Sequence, residues 1–209
     1  MKTYDLRTYA NSFLVFLFVL AHGFFSNDLG FWKNAAHAAI MASVLLISCT
    51  LFLGPLSRIF PKRFANSLIY RKPLGISGFA LSFVYFAILF AIINRFEFMA
   101  FFNGPNYFSN IYFLLGLLTL IALYAISHPK EISQISFTRW KSLQVLGYAA
   151  LAFLLLHFGT VDSGFFLNTY SGKTVLLFGI LAIAAKIIAV ALGFRKTHSE
   201  EEIRHITRH

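Results

Sequence analysis

Charge is what this chain is short of. Only 12% of its 209 residues are Asp, Glu, Lys or Arg, about half the share of a water-soluble domain. Acidic residues are scarcer still, with 8 against 18 basic ones. The single cysteine, Cys49, excludes an intrachain disulfide and a thiolate cluster within one chain. It lies in an apolar run and reads as a buried, inert thiol. There is no Walker A loop, dinucleotide fingerprint, internal repeat or low-complexity tract. No nucleophile stands at a recognisable spacing from a base. Hydrolytic and transfer chemistry are therefore disfavoured, and any flavin or pyridine nucleotide must bind another polypeptide.

What the chain has in quantity is apolar bulk, 58% hydrophobic residues with 26 phenylalanines and a mean hydropathy of +0.70. Six runs reach the roughly 20 residues that a bilayer-spanning helix needs. They cover residues 8–25, 32–53, 74–93, 109–126, 141–160 and 174–194. The first run has no small-residue cleavage site after it and reads as a retained helix. The fold expected is an all-α membrane protein, one six-helix transmembrane domain over residues 1–209 with a short tail from 195 to 209.

The net charge of +10 does not point to nucleic acid, because the basic residues occupy short loops between apolar runs. With six spans, 14 basic residues fall on one side: Lys2, Arg7, Arg58, Lys62, Arg63, Arg71, Lys72, Lys130, Arg139, Lys141, Arg195, Lys196, Arg204 and Arg208. Only Lys33, Arg95 and Lys173 fall on the other. The positive-inside rule then places both termini in the cytoplasm of a bacterial-type inner membrane.

Helix direction converts positions into depth. His22 and His157 lie three residues from the outer ends of the first and fifth runs, and His37 five residues inside the second. At about 1.5 Å per residue the three share one level to within a turn. Ionisable groups inside a membrane are costly and mark function by default, and imidazoles at one level suit a haem iron or a metal. The plainer reading is that each histidine caps a helix end and binds nothing.

The stretch Arg139-Trp140-Lys141-Ser142-Leu143-Gln144, leading to Leu156-His157, resembles the ferric-reductase-like transmembrane domain family. Within it the likeness is nearest to the MsrQ (YedZ) type, a haem-binding membrane subunit. Arg71-Lys72-Pro73-Leu74-Gly75 is similar to that family's entry to its third helix, and Gly54-Pro55-Leu56-Ser57-Arg58 to its exit from the second. His37, eighteen residues before Pro55, matches a family histidine. Two of the family's ligand positions are substituted here, by Tyr85 and Gln144.

The resemblance implies a b-type haem between histidines of different helices. His157 and His37 would be the iron ligands, with His22 as a further candidate. Tyr85 could ligate only as tyrosinate, which is costly in an apolar site without a cation, so a neutral tyrosine bonded between helices is favoured. Gln144 reads as interhelical glue. One haem near the periplasmic side is expected, and the inner level is left without ligands. The family implies electron transfer, with a cytoplasmic flavin reductase or the quinone pool as donor and a periplasmic redox enzyme as acceptor. The chain would be an oxidoreductase subunit without a flavin or nucleotide site of its own.

Lys186 lies about eight residues, roughly 12 Å, from the inner end of the last run. It either snorkels to that face or pairs with a haem propionate, a quinone oxygen or another anion. Runs two to six contain no Asp or Glu, which argues against a carboxylate proton relay and a proton-coupled carrier. Asp162-Ser163-Gly164 reads as a turn. The tail from Ser199 has a capping-box pattern, with His205 and His209 on a solvated surface. The alternative to a haem conduit is a haem-free relative acting as a structural or partner-binding membrane protein.

Overall fold

The computed structural model describes residues 3–26, 30–126, 143, 145–163 and 165–191, and these are mostly helical with no strand among them. Six principal helices follow in order: α1 (Thr3–Ser26), α2 (Phe31–Ile59), α3 (Arg71–Ala87), α4 (Tyr107–Ile126), α5 (Leu146–Thr160) and α6 (Tyr170–Ala191). Each overlaps one of the six apolar runs, with ends displaced by as much as six residues, as at Ile59 of α2. Four stretches are long and apolar enough to cross a membrane: α2, the segment Pro61–Ile93 that contains α3, α4 and α6. The chain is thus an all-α, multi-pass membrane protein in character. The Arg139-Trp140 motif, Gln144 and the tail with His205 and His209 lie outside the described residues, as does the side chain of His22.

α2 is the axis of the bundle and packs against α1, α3, α5 and α6, while α4 pairs with α5. Some 61% of its most apolar window is buried inside the protein, against 28%, 33% and 22% for the other three spans. Its sequence explains the role. Ala35, Ala36, Ala38, Ala39 and Ala42 are all buried and small enough for neighbours to approach on several sides. The outer helices show the opposite pattern, with Phe18, Leu118, Leu177, Ile187 and Ile188 exposed, an apolar surface that suits lipid rather than water.

Lipid offers no hydrogen bonds, so hydroxyls in the helices must be satisfied internally. Ser48 donates to the Val44 carbonyl at 2.6 Å, and Thr50 to that of Leu46 at 2.9 Å. Ser43 instead crosses to α3, where it donates to the Gly78 carbonyl at 2.8 Å and meets the Ser82 hydroxyl at 2.6 Å. That crossing requires backbone contact. A Cβ on Gly78 would stand 2.7 Å from Ile47 Cγ1 and 3.2 Å from the Ser43 carbonyl oxygen. α3 then loosens into a π turn, Ile88–Ile93, closed by Asn94, whose backbone and side-chain N–H groups both reach the Leu89 carbonyl.

Gly78→Ala should push α2 and α3 apart and lower stability by about 1–3 kcal/mol. Gly159→Ala, where a Cβ meets nothing within 4 Å, should be neutral or stabilising by up to about 1 kcal/mol. Thermal unfolding of both variants in one detergent checks the opposite signs.

Candidate functional site

His157 lies in the last turn of α5 and is fully buried, at 0% exposure. Its ring meets Tyr85 of α3 and Phe113 of α4 at centroid distances of 5.3 and 5.2 Å. Nδ1 lies 2.9 Å from the Ser109 carbonyl oxygen and 2.8 Å from the Ser109 hydroxyl. Nε2 lies 2.9 Å from the Tyr85 hydroxyl. One proton assignment satisfies the whole group. A carbonyl can only accept, so Nδ1 carries the proton and donates it to the Ser109 carbonyl. Nε2 then keeps its lone pair and accepts from Tyr85, while the Ser109 hydroxyl donates to the His157 carbonyl at 3.1 Å. A neutral imidazole, a neutral phenol and a serine thereby join α3, α4 and α5.

Tyr85 is the neutral interhelical tyrosine favoured from the sequence. It stands at the level of His157, with the two ring centroids 5.3 Å apart.

His37, near the start of α2, has a different partner. Its Nε2 donates to Asp162 Oδ2 at 3.1 Å, and its ring packs edge-on against Phe166 at 4.9 Å. Phe166 in turn stacks on Phe158 at 4.0 Å, which links the His37 region to the residue beside His157. Asp162 sits in the turn after α5 with φ of 47°, a left-handed conformation that Asp tolerates better than most residues. Asn106, just before α4, donates to Asp162 Oδ1 at 2.9 Å and accepts from the Asp162 backbone N–H at 3.0 Å. The turn therefore clasps α2, α4 and α5 together at one end of the bundle.

Asp162, Asn106 and Ser109 were not among the residues singled out by sequence. Asp162 was read only as a turn, although it is the one carboxylate between Glu131 and Glu200 and follows His157 by five residues. That isolation was the available signal. The hydrogen bond from His37 holds its carboxyl down at about 2, with help from Asn106 and the charges of His37 and Lys33 and against the effect of burial.

The donor set, as arranged, does not fit a haem. An axial histidine must turn a nitrogen lone pair to the iron, and the lone pair of His157 Nε2 faces Tyr85. His37 directs Nε2 to Asp162 instead of toward His157. The helices around them also leave little separation: a Cβ on Gly116 of α4 would lie 3.1 Å from Leu154, and one on Gly179 of α6 within 2.5 Å of Leu155. Among the described residues no group of three or more His, Cys, Asp or Glu side chains is placed to hold a metal ion. Lys186 of α6 places Nζ 5.6 Å from the Tyr148 ring, toward the opposite end of the bundle from these histidines.

Tyr85→Phe should leave Nε2 a buried acceptor without its donor and cost about 1–3 kcal/mol. His157→Leu should cost no less, and the two penalties should fall short of adding, because each removes the same bond. Chemical denaturation of the single and double variants reads the coupling.

The Asp162 carboxylate is depressed, so its contribution is complete above its ordinary value of 3.8 and is lost as pH falls toward about 2. The wild type should lose thermal stability across that window, and Asp162→Asn should show a flatter acid limb with a slightly lower midpoint at neutral pH. The residue is partly exposed, so the neutral-pH loss should be about 1 kcal/mol or less. Melting curves between pH 7 and pH 2 measure it.

No family model matches this chain, and no curated protein does.

Proposed function

We propose that the chain is a six-span inner-membrane protein with both termini cytoplasmic, whose histidine level is a structural clasp and not an iron site. In this reading it is a haem-free relative of the ferric-reductase-like bundles and serves as a structural or partner-binding membrane subunit. The observation that carries it is the commitment of both His157 ring nitrogens, one to Ser109 and the other to Tyr85. Tyr85 stands at a position where the resembled family has a ligand, so the substituted side chain occupies the remaining one. The six-span topology and its orientation draw on the charge asymmetry of the loops. The four long apolar stretches support it, and α1, at 24 residues, is long enough to span at about 1.5 Å per residue.

A second reading retains the electron conduit, and the ring contacts that run from His37 through Phe166 to Phe158, beside His157, favour it. It requires Tyr85 to swing away from Nε2 and the helices to part. A cytoplasmic flavin reductase or the quinone pool would then be the donor, and a periplasmic redox enzyme the acceptor.

Absorbance of the protein purified from haem-supplemented cells separates the two. The clasp reading expects no Soret band in the wild type. A Soret band that disappears in His157→Ala would overturn it in favour of the conduit. Tyr85→His, which removes the phenol that holds Nε2, is the variant expected to gain haem if any does.

A further inference from the structure

The end of the bundle opposite the His37–Asp162 pair holds a second polar cluster, built around a proline. Pro55 lies inside α2 and is buried there. It has no N–H, so the Leu51 carbonyl one turn earlier loses its helical partner. The Tyr148 hydroxyl, from the first turn of α5, donates to that carbonyl at 2.9 Å. Arg71, the first residue of α3, reaches back to the same stretch, and its Nε donates to the Thr50 carbonyl at 3.2 Å. Its guanidinium lies flat against Gly54, where a Cβ would sit 3.5 Å from Cζ and 3.6 Å from each Nη. The absence of a side chain at Gly54 is what lets the fork seat there.

One Arg71 donor is thus anchored, and the two Nη groups have no protein acceptor among the described residues. Arg58, one turn beyond Gly54, is near enough for its charge to act on both Arg71 and Tyr148. Neither arginine is ion-paired with a carboxylate among the described residues; the ion pair there is His37 with Asp162, at the other end. Gathering like charges at the rim of an apolar bundle is unfavourable unless an anion joins them. A planar, pre-seated guanidinium suits the paired oxygens of a phosphate, and basic pockets between membrane helices take anionic headgroups.

We propose that Arg71 and Arg58, arranged beside Tyr148, form a site for the phosphate of an anionic phospholipid headgroup. The site is independent of whether His157 ever meets haem and rests only on the chain being embedded in a membrane. Arg71 supplies the directed contacts through Nη1 and Nη2. Arg58, which is exposed, supplies charge.

The test uses the full chain purified in a mild detergent, with native mass spectrometry and thermal shift read against phosphatidylglycerol, phosphatidylcholine and inorganic phosphate. Phosphatidylglycerol should be retained and should raise the melting temperature, while phosphatidylcholine should do so far less. Arg71→Gln and Arg58→Gln should each weaken phosphatidylglycerol retention about fivefold and leave phosphatidylcholine retention unchanged. Arg71→Lys, which keeps the charge and loses the fork, should fall between wild type and Arg71→Gln. It also carries the test with Arg58→Gln if Arg71→Gln does not fold. Equal retention of the two lipids, or unaltered phosphatidylglycerol retention in the folded variants, would overturn the site. Protection by inorganic phosphate as strong as that by phosphatidylglycerol would overturn the lipid assignment and leave a free-anion site.

Discussion

Inside a bilayer no water is at hand to satisfy a polar group, so every donor and acceptor must find its partner within the bundle. His157 is where this constraint bears hardest, since it is wholly buried and brings both a donor and an acceptor. Its two demands are met from two different helices, Ser109 on α4 and Tyr85 on α3. The relative positions of three helices are therefore coupled through one ring. Ser43 does the same between α2 and α3 with a smaller group, and there a glycine is needed to bring the backbones close enough.

The same constraint shapes both ends of the molecule. At one end the turn after α5 holds a carboxylate in a left-handed conformation so that it meets His37 and Asn106 together. At the other, a proline in α2 strips a carbonyl of its N–H and a tyrosine hydroxyl replaces it, with Arg71 beside it on the next carbonyl. The two ends differ in electrostatics. The first balances a histidine against a carboxylate, and the second gathers cations. The first end closes on itself, and the second leaves its arginines without a carboxylate partner among the described residues.

The difference between a histidine that ligates iron and one that pins helices is a single hydrogen bond at Nε2. Tyr85 supplies that bond, because a phenol is long enough to cross between helices and has a proton to give. A phenylalanine there would leave the lone pair unsatisfied, and a second histidine would compete for it. The identity of one residue on α3 thus decides which partner the α5 imidazole has.

Composition and apolar run length determined that the chain is helical and membrane-compatible, because in lipid only helices and closed barrels satisfy their own backbone and the runs have helical length. The ends of α4 and α6 were legible to within about four residues for the same reason, whereas α2 continues past its apolar run, through Pro55, to Ile59. The favoured role of Tyr85 as a neutral interhelical group was also legible, from the cost of an unpaired tyrosinate in an apolar site. What sequence did not determine was who meets whom across the bundle. Tyr85 and His157 are 72 residues apart, and His37 and Asp162 125 apart, and no local pattern encodes such a pairing. Asp162 looked like a turn because it is one; its second role depends on where that turn lands over α2. Arg71 read as a loop cation, and only the packing of α3 and α5 brings it and Tyr148 onto the carbonyls around Pro55. Spacing along a chain sets the period and the depth of a helix, whereas rotation and tilt against its neighbours set its partners, and those exist only once the helices have packed.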